Sequence, residues 1–196
     1  MGTNISNALD VISRVFLLIG CTFERQEPLA YLEGRGDANY AACPVTRKST
    51  TGYTLHHGKH TLGTGPSTQS IISLSVGESE FYAAVKTACR VLGLQQLFRD
   101  LGIELPVRLG TDSSSAKGMA SRRGAGGVRH IHTPALWLQQ TVARRKLLSG
   151  KTPGDDNTAD IGTKVLAAER MWALMDTQCL RKVSVSPLQL EAPLVH

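Results

Sequence analysis

The chain has 196 residues, of which 41% are hydrophobic and 19% charged, so it suits a single domain with a buried core and is not a wholly disordered polymer. No apolar run approaches the about 20 residues needed to cross a bilayer, and the longest near the start, Val15 to Ile19, follows Asp10 and Arg14, which also leaves a signal peptide unsupported. Lys and Arg number 22 against 16 Asp and Glu, a net charge of +6, which favours a polyanionic partner, nucleic acid first among them.

In chain order, Ala8 to Ile19 reads as a helix-like stretch stopped by Gly20, in a leader or the tail of an upstream domain over residues 1–28. Leu29 to Tyr40 is extended, and Thr50 to His57, rich in Thr and Tyr, is a half-buried strand. Gly58-Lys59 then turns the chain into a further strand near Thr61. Ser75 and Glu78 form an S-x-x-E capping box, and Phe81, Val85, Ala88 and Leu92 follow at helical spacing, so an amphipathic helix is predicted over 76–101, ended by Gly102. Val107 to Thr111 is a second extended run, and Ser113 is placed to cap a helix through Met119 and Ala120. Pro134 to Lys146 is predicted as a third helix, Leu147 to Thr152 as a strand, Asn157 to Val165 as a last core helix, and Ala167 to Cys179 as helical. Strands first in a meander and then alternating with helices give an α/β fold with a mixed sheet. The cysteines Cys21, Cys43, Cys89 and Cys179 are too widely spaced for a C-x-x-C motif, and they are expected to be reduced, mostly core thiols of an intracellular protein.

Four acids fall at the ends of these elements: Asp37 on the first strand of the meander, Glu80 in the first turns of the long helix, Asp112 after the Val107 strand and Asp160 at the start of the last core helix. Clustered carboxylates repel one another unless cations neutralise them, and Mg²⁺ commonly takes one or two protein carboxylates together with substrate phosphate. A pair of such ions about 4 Å apart suits in-line phosphodiester hydrolysis. Each acid also has a plainer role, Asp37 as a strand end, Asp112 as a helix cap and Asp160 as a favourable charge at a helix start. Glu80 is harder to explain that way, because Glu78 already holds the capping position.

At these residues the sequence resembles the ribonuclease H domain of copia-type LTR retrotransposon polyproteins. Gly34 to Cys43 is similar to G-Y-S-D-A-D-W-A-G-C, and Arg47 to Tyr53 to R-K-S-T-S-G-Y. Ser75 to Ala83 resembles S-S-T-E-A-E-Y-x-A, Thr111 to Ala116 C-D-N-Q-S-A, Val128 to Ile131 T-K-H-I, and Asn157 to Lys164 x-x-A-D-x-x-T-K. The resemblance covers residues 32–166. It departs at Asn39, where the family has a second aspartate, at Tyr40 in place of W, at Leu62-Gly63-Thr64 in place of I-S-W, and at His132, where an acid is usual.

The resemblance implies a ribonuclease H-like mixed five-stranded sheet, an antiparallel meander followed by parallel strands, flanked by helices. It implies a ribonuclease H-like domain over 29–166, with 167–196 a C-terminal helix and tail. The family's D-E-D-D ligands fall on Asp37, Glu80, Asp112 and Asp160, with Asp37 bridging two Mg²⁺ ions, Glu80 and Asp112 holding one and Asp160 the other, and Mn²⁺ able to substitute. The implied activity is hydrolysis of the RNA strand of RNA/DNA hybrids, in a cytoplasmic particle or the nucleus, with a reverse transcriptase domain of the parent polyprotein as partner. No Y-x-D-D motif is present, so the chain reads as an isolated module, a polyprotein fragment or a remnant that binds nucleic acid without cutting it.

Around the acids, Gln69, Ser114 and Ser115 are candidates for contact with the 2′-hydroxyls and groove edges that distinguish a hybrid. Arg122, Arg123, Arg129 and His130 flank the Gly124 to Gly127 loop and are candidates for phosphate contact, His130 also for product release. His56, His57 and His60 read as solvated turn histidines, not a metal site.

Overall fold

The computed structural model describes residues 18–27, 30–124, 126–127, 130–131 and 133–183. A short strand β1 (Leu18–Cys21) is followed by β2 (Leu32–Asn39), β3 (Thr50–His57) and β4 (His60–Thr68), then by the helix α1 (Val76–Asp100) and β5 (Val107–Thr111). Helix α2 (Ser114–Ser121), a 3₁₀ turn at Thr133–Leu136, α3 (Trp137–Ala143) and β6 (Leu148–Lys151) come next. Further 3₁₀ turns at Gly154–Asp156 and Thr158–Gly162 lead to α4 (Ala168–Thr177) and β7 (Leu180–Val183).

Five strands form one mixed sheet in the order β4-β3-β2-β5-β6. The pairs β2–β3 and β3–β4 are antiparallel, whereas β2–β5 and β5–β6 are parallel. This is the mixed five-stranded arrangement that the family resemblance implies, meander first and parallel strands after.

Strand alternation sorts β2 and β3 into two faces. Leu32, Gly34 and Gly36, with their cross-strand neighbours Leu55 and Tyr53, lie on the α1 side, where Leu32 and Leu55 join the core with Phe81, Ala84, Ala88 and Val91 of that helix. Glu33, Arg35 and Asp37 lie on the other face, opposite His56, Thr54 and Gly52. Phe81 is fully buried at the helix end nearest the acids, and truncating such a side chain to alanine costs about 3–5 kcal/mol.

Helix α1 begins as predicted, with Ser75 Oγ accepting from the Glu78 N–H at 3.2 Å. The Glu78 carboxylate does not close the box on Ser75; its Oε2 accepts from the Leu74 N–H at 2.8 Å. The helix stops where Gly102 takes a φ of +79°, a left-handed geometry that glycine reaches without a Cβ clash.

Elsewhere the structure corrects the sequence reading. Of the predicted helix at Ala8 to Ile19, residues 8–17 lie outside the described residues, and Leu18 and Ile19 belong to β1, which pairs antiparallel with β7. The segments assigned to a leader and a tail thus meet in a two-stranded sheet. The expected helix at 134–146 is a 3₁₀ turn plus the short α3, broken off where Arg145 adopts a φ of +53°. The expected core helix at 157–165 is the 3₁₀ turn Thr158–Gly162. None of the four cysteines is core: Cys21 and Cys89 are exposed, and Cys43 and Cys179 are half-buried.

Candidate functional site

The parallel register explains how two of the acids meet. Leu32 stands beside Val107 and Arg35 beside Gly110, and the same register continued two residues along the chain sets Asp37 beside Asp112. Neighbouring strands are about 4.8 Å apart, so the two carboxylates emerge together at the carboxyl ends of the parallel pair, where open α/β sheets gather ligands. Glu80 joins them because α1 packs tightly on β2. A Cβ on Gly36 would lie 2.5 Å from Thr87 Oγ1, so glycine is what lets the helix approach this closely. Carboxylate oxygens of Asp37, Glu80 and Asp112 lie within 4.8 Å of one another, and among the described residues this is the group of acidic, His and Cys side chains with the geometry to hold a metal ion.

Asp160 reaches the site by a different route. The turn Thr158–Gly162 is capped by Asn157, whose Oδ1 accepts from the Ala159 N–H at 3.4 Å, and it lies against β3 at Gly52. A Cβ on Gly52 would sit 2.6 Å from the Ala159 carbonyl oxygen and 2.8 Å from Thr163 Cγ2, so any side chain there would push the turn away. Asp160 is not one of the three clustered acids. It is linked to them by Lys164, whose Nζ is 2.7 Å from Asp160 Oδ1 and 3.2 Å from Asp37 Oδ1. Thr163 donates its hydroxyl to Asp37 Oδ2, and Asn39 Nδ2 donates to the Thr163 carbonyl at 2.8 Å.

Electrostatically the cluster is under tension. Burial, then the charges of Asp37 and Asp112, push the Glu80 carboxyl up to about 8, against a smaller opposing pull from the Ala38 N–H and Lys164. Its Oε2 is buried and accepts no hydrogen bond among the described residues. Burial also raises Asp160, with Lys164 opposing. For Lys164 burial acts downward, but the bonds and charges of Asp160 and Asp37 outweigh it and hold the ammonium well above its ordinary range.

The other candidates are distributed unevenly. Ser114 and Ser115 are exposed at the start of α2, separated from Asp112 by the capping Ser113. Arg123 is exposed, Arg122 is half-buried with its guanidinium against Gly126, and Arg129 lies outside the described residues. Gln69 is buried, and its Nε2 donates to Thr51 Oγ1 at 3.1 Å and to the Ser79 carbonyl at 2.8 Å. His130 pairs with Glu78, Nε2 to Oε2 at 2.9 Å, so its ring is tethered to a fully buried acid two residues before Glu80. Of the turn histidines, His56 is buried, contrary to expectation. Its Nε2 lies 2.9 Å from Thr54 Oγ1 and 3.0 Å from Thr158 Oγ1, tying β3 to the turn that carries Asp160.

Sequence reasoning missed Asn39, Thr163, Lys164 and Glu78 as parts of this site. The signal for Lys164 is its position four residues after Asp160 in the closing motif, the spacing at which an acid and a base meet on a helical turn. The signal for Asn39 is its replacement of the family's aspartate, since only the amide can donate to the Thr163 carbonyl.

No family model matches the chain. A retrovirus-related Pol polyprotein from transposon TNT 1-94 of Nicotiana tabacum is 28% identical to it over 137 residues, 69% of this chain. The chain spans 10% of that polyprotein's length. Among solved structures it is similar to LC11-RNase H1 isolated from compost, with a TM-score of 0.45 and 17% identity over 67% of this chain and 91% of that one. It is also similar to the N-terminal RNase H domain of rv2228c from Mycobacterium tuberculosis, at TM-score 0.42 and 15% identity over 76% and 99%. LC11-RNase H1 in complex with RNA/DNA hybrid gives 0.41 and 19% over 64% and 88%. The chain thus resembles part of a retrotransposon polyprotein in sequence, and among the described residues no helix is long and apolar enough to cross a membrane.

Proposed function

We propose that this chain is a metal-dependent endonuclease that hydrolyses the RNA strand of RNA/DNA hybrids within a retrotransposon polyprotein. The observation that carries the reading is the convergence of Asp37, Glu80 and Asp112, with one buried Glu80 oxygen that has no hydrogen-bond partner among the described residues. Such an arrangement is unfavourable for the protein alone and fits a hard divalent cation, which prefers oxygen ligands.

Asp37, Glu80 and Asp112 would hold Mg²⁺ or Mn²⁺, and the bound ion would supply an activated water and neutralise charge on the phosphate. The chain's own groups set the stage for that chemistry. Thr163 and Lys164 hold the two oxygens of Asp37 in place, and Asn39 fixes the backbone that carries both. Burial and its two acidic neighbours keep the Glu80 carboxyl protonated at neutral pH until a cation arrives. Ser114 and Ser115, exposed beside Asp112, are positioned to meet a backbone or a 2′-hydroxyl. The basic residues Arg123, Arg144 and Lys146, together with the net charge of +6, suit attraction of a polyanion.

The test is substrate choice. Hybrid, duplex DNA and duplex RNA of one sequence are incubated with the protein and Mg²⁺ or Mn²⁺, with a chelator as control. Cutting of the hybrid alone, abolished by chelator, is expected. Hybrid that is bound but left intact would instead identify a binding remnant.

A further inference from the structure

Lys164 is the cation that the site already contains. Its ammonium lies between Asp160 and Asp37 at 2.7 and 3.2 Å, although the side chain is 43% exposed. Its backbone, in contrast, is pinned. The Lys164 N–H donates to the Asp160 carbonyl at 2.9 Å, and the preceding Thr163 is held by Asn39 through its carbonyl and by Asp37 through its hydroxyl. A flexible four-carbon stem on a fixed anchor, with its tip beside solvent, can swing away without disturbing the turn. Asp160 stands apart from the three clustered acids, and its charge is answered by the same ammonium.

We propose that Lys164 is a tethered counter-cation that occupies the space between Asp37 and Asp160, so that the metal-free chain offers one divalent site and Asp160 becomes a ligand only when the ammonium swings out. The proposal rests on reading the three acids as a metal centre. Two cations cannot share that gap without mutual repulsion, so a second divalent ion and the Lys164 ammonium exclude each other there. The chain would then arm its fourth acid only when cation concentration, or a phosphate that draws the ammonium away, favours the exchange.

The experiment is a Mn²⁺ titration of the full chain without nucleic acid, read by calorimetry, for the wild type, Lys164→Gln and Lys164→Arg. One ion per chain is expected for the wild type and for Lys164→Arg, which keeps the charge. Lys164→Gln should take up a second ion at least about tenfold more tightly than either, the size of an ordinary coupling between sites. A second readout needs no variant: acetylation of the wild-type Lys164 amine, followed by mass spectrometry, should stay low while Mn²⁺ fills the first site and rise several-fold only at the higher concentrations that drive in a second ion. Equal stoichiometry and affinity in all three proteins, or acetylation unchanged by Mn²⁺, would overturn the role of Lys164 and leave the metal centre standing. Absence of Mn²⁺ binding in all three would overturn the metal centre and this proposal with it.

Discussion

Replacing Glu80 by glutamine should make the metal-free protein more stable at neutral pH while destroying its affinity for divalent ions. The folded protein holds the Glu80 proton until about pH 8, against an ordinary value of 4.5. Folding therefore takes up a proton between those values. The stability tied to this proton is complete below 4.5 and is lost as pH rises through 8. At about 1.4 kcal/mol per unit, the difference accumulated between pH 5 and pH 7 is roughly 2–3 kcal/mol. Glutamine has the same shape and no proton to lose, so its stability should lack that slope, while the slopes from other groups are common to both proteins. The assay is urea denaturation in a chelator at pH 5, 6 and 7. The two proteins should nearly match at pH 5 and diverge by roughly 2–3 kcal/mol at pH 7, glutamine the more stable. Saturating Mn²⁺ should then close or reverse the gap, because only the wild type gains binding energy. Parallel pH curves for the two proteins would refute the claim that Glu80 is held in a strained, protonated state.

Three further outcomes follow from the same geometry. Gly52→Ala should cost about 1–3 kcal/mol in a urea melt and reduce hybrid cleavage, because the new Cβ would press on the turn that carries Asp160 and Thr163; unchanged stability and activity would contradict that contact. The His56 imidazole, whose pKa burial, then the charge of Arg35, lowers to about 4, should stay neutral from pH 8 to pH 5 in an NMR titration. Its stabilising contribution is present above its ordinary value of 6.5 and lost as pH falls through 4, so His56→Gln should blunt the acid limb of unfolding. Asn39→Asp should lower Mn²⁺ affinity and activity together, since an aspartate cannot donate to the Thr163 carbonyl, and wild-type affinity in that variant would remove Asn39 from the site.

Much of the frame is legible because it is local. Alternation marks β2 and β3, a capping serine marks the start of α1 and Gly102 its end, and Ser113 caps α2 through its bond from the Ala116 N–H. Asp37 and Asp112 can be paired once the strands are known to be parallel neighbours. The remainder depends on contacts between distant residues. Thr158–Gly162 is a 3₁₀ turn, not a helix, because it must fit against Gly52 and deliver the Thr163 hydroxyl to Asp37, 126 residues away in sequence. Glu78 looks like a capping residue, yet its carboxylate serves Leu74 and a histidine 52 positions on. Gln69 looks like a surface donor and is instead an internal strut, and His56 looks like a turn residue although the register puts it on the face covered by Thr158.

The most direct measurement is cleavage of a hybrid whose RNA and DNA strands carry different end labels, in Mg²⁺, by the wild type and by Asp37→Asn and Asp112→Asn, each first shown to be folded. The wild type should shorten only the RNA label, and either substitution should abolish the cut. An intact RNA strand with the folded wild type, or undiminished cutting by both variants, would contradict the proposed function.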